Sequence, residues 1–531
     1  MIKSAMTPLS ALSTLSLRSS FLLMLLAGGL NVLSFAPFNF WPVQVLSLAL
    51  LFTQILREDS HARSPKQAAL LAWAYAFAWL AATVCWLVIA MTRFGGLPWM
   101  LSSLALALLS AALAMYAAAA AYLAQKLRQR WGLGRLATAL LLLPALLTLA
   151  EWLRIAFLTG FPWTISGYAH TTSPLAGFAP LIGVLGLGWL NAMLAAVFAL
   201  LFMGTVSRTQ KTALTGFALA IFALGVGLQA VEWTRPYGKP LQVRLLQGNV
   251  AQDMKFEQAH LNESLSLYHD MLLAAPADLV VTPETALPML TSQLPPDYLP
   301  ALNAYAQRTG IALVVGVGVY DGGDVYSNSV LGLSPQYADK PYRYDKHHLV
   351  PFGEFIPPGF RWFVKAMAIP MGEFSTAGPI QPAMKVKDQL VMPNICYEDL
   401  FGEEIAAQLS AQHAAGQPMA SILLNASNLA WYGESYAIAQ HLQISQMRVL
   451  ETGRPMLRAT NTGATAFIVP GAKVEALLPV NTKDSLSVSV QGRQGMTPYI
   501  LLGNASVLVL ALLSILLAFW LRRRVTVIAP A

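Results

Sequence analysis

Residues 389–399 read QLVMPNICYED. The first eight form a short, apolar-rich run of the kind that makes a strand. The run ends on Cys396, one of two cysteines in 531 residues; the other, Cys85, lies in a long apolar stretch. Working outward from Cys396, similar runs recur at LQVRLLQ (241–247), DLVVTP (278–283), IALVVGVGVY (311–320), SILLNAS (421–427) and ATAFIVP (464–470). Polar, helix-compatible segments lie between several of them, at 256–275, 296–309, 400–415 and 434–451. Strands alternating with helices indicate an α/β fold with much parallel pairing. Reactive groups in such folds sit on loops beyond the carboxyl ends of strands. Three ends carry them here: Glu284 follows DLVVTP, Lys346 lies in YRYDKHHLVPFGEF, and Cys396 ends its own run. A thiol nucleophile needs a base to take its proton and a donor or cation to steady the oxyanion. Glu, Lys and Cys can fill those roles.

This polar domain accounts for about half of the chain. The whole is 56% hydrophobic and 11% charged, against about 25% charged in soluble domains. A membrane-spanning helix needs about 20 apolar residues. Runs of that kind lie at about 19–35 and 42–56, a hairpin broken by APFNFWP (36–42), then at 67–92, 98–124, 136–157, 178–204, 212–231 and 499–521. The reading is therefore a multi-pass helical bundle of about eight spans joined to an α/β domain. Seven spans fill residues 1–231, the α/β domain fills 232–497, and an eighth span with a short basic tail fills 498–531. The first run reads as an uncleaved hairpin helix and not as a signal peptide.

Positive residues orient the spans. Lys3 and Arg18, then Arg57, Arg63 and Lys66, then Lys126, Arg128, Arg130 and Arg135, then Arg208 and Lys211, and last Arg522, Arg523 and Arg524 fall at alternate ends. The opposite loops hold Arg93 and little else. Both termini should be cytoplasmic and the 232–497 domain should lie outside. The net charge of +8 is then an orientation signal and not a nucleic-acid footprint. Two cysteines make no disulfide framework, and no Cys/His pair has zinc-ligand spacing. Glu151 and Arg154, three apart on one helix face, read either as a lipid-headgroup contact or as an ion pair at the interface.

TPETALP around Glu284, DKHHLVPFGEF around Lys346 and NICYED around Cys396 resemble, in order and context, the three signatures of the nitrilase (carbon–nitrogen hydrolase) superfamily. With seven spans before and one after, the chain resembles the apolipoprotein N-acyltransferases of Gram-negative bacteria over essentially its whole length. The resemblance implies a four-layer αββα sandwich and a Glu284–Lys346–Cys396 triad, with no cofactor or metal. It implies transfer of an acyl chain from a phospholipid, usually phosphatidylethanolamine, through a Cys396 thioester. The acceptor would be the α-amine of the diacylglyceryl cysteine of an apolipoprotein, the last step of lipoprotein maturation in the bacterial inner membrane. Glu354 would orient Lys346 or stabilise the intermediate, Glu398 would hold hydrogen bonds of the triad, and Tyr397 would shape the pocket. Three positions depart from the family pattern: Phe256 where Trp is usual, Leu429 in NLAWYG (428–433) where an acid is usual, and Ser327 before Asn328-Ser329 where Tyr is frequent.

Residues 352–374 hold Phe352, Phe355, Phe360, Trp362, Phe363, Met367, Met371 and Phe374, with Pro357, Pro358 and Gly359 breaking regularity. So apolar a loop beside a reactive lysine reads as a mobile lid that admits lipid chains. Trp431 joins this substrate-side set. His347 and His348 read as loop residues and not as bases. Two other readings stand beside the transferase. A membrane-anchored nitrilase-type amidase acting on a small amide would leave eight spans without a purpose. A transporter with an outer binding domain would need ionisable residues deep in several spans, and they are lacking.

Overall fold

A computed structural model describes residues 14–58, 61–252, 258–362 and 373–522. Phe256, Phe363, Met367 and Met371 lie outside the described residues. The chain divides into two compact units. One comprises residues 1–88, 97–231 and 504–531; the other comprises 89–96 and 232–503.

The first unit is helical. Helices occupy Leu17–Leu30, Pro42–Ile55, Pro65–Thr83, Trp99–Trp131, Arg135–Ala156, Ala179–Phe202, Arg208–Gln229 and Ala505–Trp520. Two starts follow directly from local chemistry. Ser64 and Gln67 form a capping box ahead of Pro65, and Ser207 and Gln210 form another ahead of Arg208. Each satisfies two N-terminal N–H groups reciprocally. Among the described residues five helices are long and apolar enough to cross a membrane, and a sixth if Pro65–Thr83 and the short helix Leu87–Arg93, bent by 55°, make one span. The helices at Pro42–Ile55 and Ala505–Trp520 are apolar but only 14 and 16 residues long. The expected bundle of about eight spans, the first two of them short hairpin helices, is found among the described residues as five or six long apolar helices plus shorter ones. The reason is punctuation: APFNFWP and Gly503-Asn504 end the regular backbone inside the apolar runs.

Several of the basic residues gather at one end of this unit. Arg128 and Arg135 both pair with Glu58, at 2.5 and 2.7 Å, and Gln125 bonds the Arg63 carbonyl. Arg135 also donates to Thr205. Glu151 and Arg154 have another task. Glu151 accepts from the Ser166 N–H at 3.0 Å and from its hydroxyl at 2.7 Å, while Arg154 donates to the carbonyls of Trp163 and Thr164. The two side chains stand 3.8 Å apart. Together they hold the buried GFPWTISGYAHTTSP loop in place.

The second unit is a stack of two sheets between helices. Strands β1 Thr234–Pro236, β2 Leu241–Gln247, β3 Leu279–Val281, β4 Leu287–Leu290, β5 Ala312–Gly322, β6 Val325–Leu333 and β7 Tyr342–Asp345 are followed by β8 Met384–Val386, β9 Gln389–Ile395, β10 Ile422–Ser427, β11 Met456–Thr460, β12 Ala466–Val469, β13 Lys473–Leu477, β14 Asp484–Val490 and β15 Arg493–Gly495. One sheet runs β14-β2-β3-β5-β6-β7 with β4 beside β5; the other runs β13-β12-β11-β10-β9-β8; β1 pairs with β15. Pairing is parallel at the centres (β2–β3–β5 and β9–β10–β11) and antiparallel toward the edges. The fold is therefore more mixed than a parallel α/β reading expects, because hairpins such as β5–β6 extend each centre outward.

Strand alternation builds the layers. Val243, Leu245, Leu279, Val281 and Val314 from one sheet meet Val391, Ile395, Leu424, Ala426 and Leu457 from the other in a single buried core. The opposite face of the first sheet, Leu246, Val280, Leu313 and Val315, packs against Leu265, Leu272, Leu302 and Ala306 of helices Gln258–Leu273 and Tyr298–Thr309. Met392, Leu423 and Met456 do the same against Ile405, Leu409 and Val449 of helices Gly402–Ala414 and Tyr436–Thr452. Helix, sheet, sheet, helix is the resulting order.

Candidate active site

The strands of this unit deliver three reactive side chains to one place. Glu284 lies three residues past β3, Lys346 is the first residue after β7, and Cys396 is the first after β9. The close packing of the Glu284 turn depends on Gly316 in β5: a Cβ there would run into the Pro283 carbonyl and stand 3.1 Å from the Glu284 Cα. Gly316 N–H donates instead to the Thr282 hydroxyl at 2.9 Å. Interior strand glycines of this kind mark a close backbone approach. Thr285 and Cys396 both adopt left-handed backbone, φ 45° and 53°. Such angles are costly for residues with a Cβ and collect at functional sites.

Lys346 is fully buried. Its Nζ lies 3.1 Å from Glu284 Oε1 and 2.9 Å from Glu354 Oε1. Burial alone would pull the ammonium's pKa down, but Glu284 and Glu354 outweigh it and hold it well above the ordinary lysine range. Asn328 Nδ2 bridges the same two oxygens at 2.8 and 2.7 Å. The Asn428 N–H reaches Glu284 Oε2 at 2.9 Å, and the Val350 N–H reaches Glu354 Oε2 at 2.8 Å. Glu284 thus accepts from three donors, the pattern of an ionised carboxylate. Cys396 is partly buried. Burial and the Glu284 charge push its thiol above the usual range, and Lys346 opposes them. At neutral pH the sulfur holds its proton, beside a carboxylate able to take it.

Glu398 binds backbone and not triad side chains. Its Oε2 accepts from the Ile395 N–H at 2.6 Å and the Tyr344 hydroxyl at 3.0 Å, and its Oε1 accepts from the His347 N–H at 2.6 Å. It ties the loop after β7 to the loop after β9, and so Lys346 to Cys396. Burial raises its pKa despite these donors. Tyr397 packs edge-on to Phe401 at 5.4 Å, and Phe401 stacks on His348 at 3.5 Å. His348 Nδ1 also pairs with Glu404 at 2.9 Å, and His347 Nδ1 bonds the Ala377 carbonyl at 2.8 Å. Both histidines are engaged in shaping their loop.

The described aromatics of the 352–374 loop are not buried core. Phe352, Phe360 and Trp362 are 41%, 44% and 69% exposed, and Phe355 is half-buried. Phe352 and Phe360 meet edge-to-face at 5.3 Å, and Phe374 packs on Tyr326 at 4.9 Å. Trp431, 41% exposed, meets Phe94 at 5.3 Å; Phe94 belongs to the 89–96 segment of the same unit. Residues that sequence reasoning missed are Asn328 as a bridge, Asn428 as a backbone donor, and a buried group behind Cys396 made of Asp399, His441, Ser445 and Arg458. Their partners are remote in the chain, so no local pattern exposes them.

A two-sheet αββα core with a Glu, a Lys and a Cys at three strand ends defines the carbon–nitrogen hydrolase class, and the family profile described as Carbon-nitrogen hydrolase matches residues 242–497. A second profile, Apolipoprotein N-acyltransferase N-terminal domain, matches residues 27–197. Proteins named apolipoprotein N-acyltransferase are similar over nearly the full chain. That of Ralstonia nicotianae is 46% identical, covering 94% of this chain and 93% of its own length. That of Nitrosomonas europaea is 41% identical, covering 92% and 94%. Among solved structures, an amidase from Nesterenkonia sp. is 16% identical with a TM-score of 0.34, covering 48% of this chain and 92% of its own. The chain belongs to the apolipoprotein N-acyltransferase family, and it is an enzyme of the acyltransferase type.

Proposed function

We propose that the chain moves an acyl chain from a phospholipid to the N-terminal α-amine of a diacylglyceryl apolipoprotein, with Cys396 as the carrier. The observation that carries this reading is the buried Glu284–Lys346–Glu354 cluster, set at strand ends of the same unit that delivers Cys396. Glu284 takes the Cys396 proton as sulfur attacks the ester carbonyl. Lys346, with the backbone N–H groups near Cys396 and Tyr397, steadies the oxyanion. The carbon–oxygen bond breaks, Glu284 returns the proton to the departing lysophospholipid, and a thioester remains. The lipopeptide amine then attacks the thioester and loses a proton to Glu284. Sulfur leaves and recovers that proton, and an amide has formed. A thioester is reactive enough toward amines that no ATP is needed. Glu354 holds Lys346 in place, and Tyr397 and Glu398 keep the nucleophile loop in register.

The donor we favour is phosphatidylethanolamine. Residues 1–231 make a seven-span bundle, 232–497 the catalytic domain, and 498–531 the eighth span and tail. The protein then sits in the bacterial inner membrane, with both termini cytoplasmic and the catalytic domain periplasmic. The meeting of Arg128, Arg135 and Thr205 at one end of the helical unit supports that topology, since their loops are all assigned to the cytoplasmic side. The test uses purified protein with phospholipid alone. Mass spectrometry should find an acyl group on Cys396 that a diacylated lipopeptide discharges. An adduct that persists in Cys396→Ala, or none in the wild type, overturns the proposal.

Phe352, Phe355, Phe360, Trp362 and Phe363, with Trp431, make up the lipid-admitting lid of this reading. Exposed aromatics clustered beside a catalytic lysine are unusual on a monomer surface. Trp362→Ala combined with Phe360→Ala should raise KM for the phospholipid several-fold. The thermal midpoint should hardly move, because exposed substitutions stay within about 0.5 kcal/mol. Unchanged donor kinetics would remove the lid.

A further inference from the structure

The group behind Cys396 is connected to the nucleophile through one atom. Arg458 is fully buried, and its Nη2 lies 2.9 Å from His441 Nδ1. A guanidinium only donates, so Nδ1 is the acceptor. The proton of the neutral ring therefore sits on Nε2, which lies 3.2 Å from the Cys396 carbonyl oxygen. Burial, then the Arg458 charge, hold the imidazole neutral by lowering its pKa far below the usual value. Asp399 and Ser445 anchor Arg458 in turn, with Asp399 Oδ2 at 3.4 Å. Asn425 Nδ2 donates to the same Cys396 carbonyl at 3.3 Å.

We infer that His441 is a positioning residue for acylation, whose Nε2–H holds the Cys396 carbonyl and keeps the nucleophile in its left-handed backbone conformation. The inference rests on the reading of Cys396 as the acyl carrier. Because the peptide is planar and trans, pinning that carbonyl also sets the direction of the Tyr397 N–H on the opposite edge. Cys396 stands at φ 53°, where a residue with a Cβ is strained, so contacts that hold its carbonyl are needed to keep it there. Arg458 and Asp399 act one step further back by fixing the tautomer.

His441→Asn and His441→Gln separate the two ends of the ring. Asn can place its oxygen where Nδ1 was, keeping Arg458 paired, but cannot reach the Cys396 carbonyl. Gln can offer an oxygen to Arg458 and an N–H to Cys396. In single turnover with phospholipid, Asn should slow Cys396 acylation by about 10²-fold, the scale of a small misplacement of a reacting group, with KM for the donor unchanged. Gln should restore most of the rate. Asn425→Ser, which withdraws the other donor, should also lower the rate constant without moving KM. Wild-type acylation in the Asn variant overturns the inference, as does a Gln variant as slow as Asn, or a loss that appears in KM. Wild-type enzyme that forms no adduct on Cys396 defeats the carrier reading itself, a different result.

Discussion

Glu284→Gln is expected to stop acyl transfer and, in the same protein, to make Cys396 easier to alkylate. The two effects have opposite signs because, on the proposed reading, Glu284 acts on the thiol in two ways. As a base it removes the proton during attack, a contribution of about 10²–10⁴-fold. As a charge it holds the resting thiol protonated, second only to burial. Gln removes both. Phospholipid-dependent acylation should fall by about 10³-fold. Iodoacetamide, which reacts with whatever thiolate is present, should label Cys396 faster at pH 8 than in the wild type. In the wild type, labelling should keep rising with pH beyond the ordinary thiol midpoint near 8.5, because the folded thiol titrates higher. In the variant the rise should come earlier. The isosteric change keeps one oxygen for Lys346 Nζ and Asn328 Nδ2 but sets an NH2 against the Asn428 N–H, so the thermal midpoint is measured in the same protein to separate lost chemistry from a loosened site. Slower labelling in Glu284→Gln, or near-normal acyl transfer, would show that Glu284 is not the base acting on this sulfur.

How much of this could be read from the chain depends on where each residue's partners lie. β2, β9 and β10 were legible as strands because nearly every position is buried, which gives continuous apolar runs. β13 and β14 were not, since half-exposed edge strands reading KVEAL and DSLSVSV look like loop. β11 was missed for another reason. Its Arg458 is fully buried, and a charge within MLRAT argues against a core strand until Asp399, 59 residues away, is brought beside it. The three reactive residues were visible because each ends a strand-like run in a distinctive context. Asn328 was invisible as a bridge, because the carboxylates it joins lie 44 and 26 residues off. In the helical unit, the short hairpin helix read at 42–56 is found as Pro42–Ile55, whereas the run read as one span at 499–521 is interrupted at Gly503-Asn504 before Ala505–Trp520.

Lys346→Met should cost both catalysis and stability, and its stability loss should depend on pH in a definite direction. On the proposed reading the catalytic loss is that of the principal oxyanion partner, about 10²–10³-fold in acylation. The stability loss arises because Glu284 and Glu354 remain, sharing one Asn328 amide between Oε1 atoms that both faced the ammonium. Removing one member of a buried ionic cluster typically costs about 3–5 kcal/mol. Two adjacent carboxylates relieve this by taking up a proton, so in the folded variant a carboxyl pKa rises above its unfolded value near 4.3. A group raised in this way contributes most below its unfolded pKa and loses that contribution as pH rises through the folded value. The variant should therefore approach wild-type stability near pH 5 and fall away toward pH 8. Wild-type Lys346 adds no slope in that window. Its pKa is raised as well, so its contribution is complete below the unfolded lysine value near 10.4 and is lost only at higher pH. Thermal midpoints of the two proteins at pH 5 and pH 8 make the comparison. A deficit that is equal at both values would mean that the lysine supplies packing alone, and that the paired carboxylates carry no shared charge for it to neutralise.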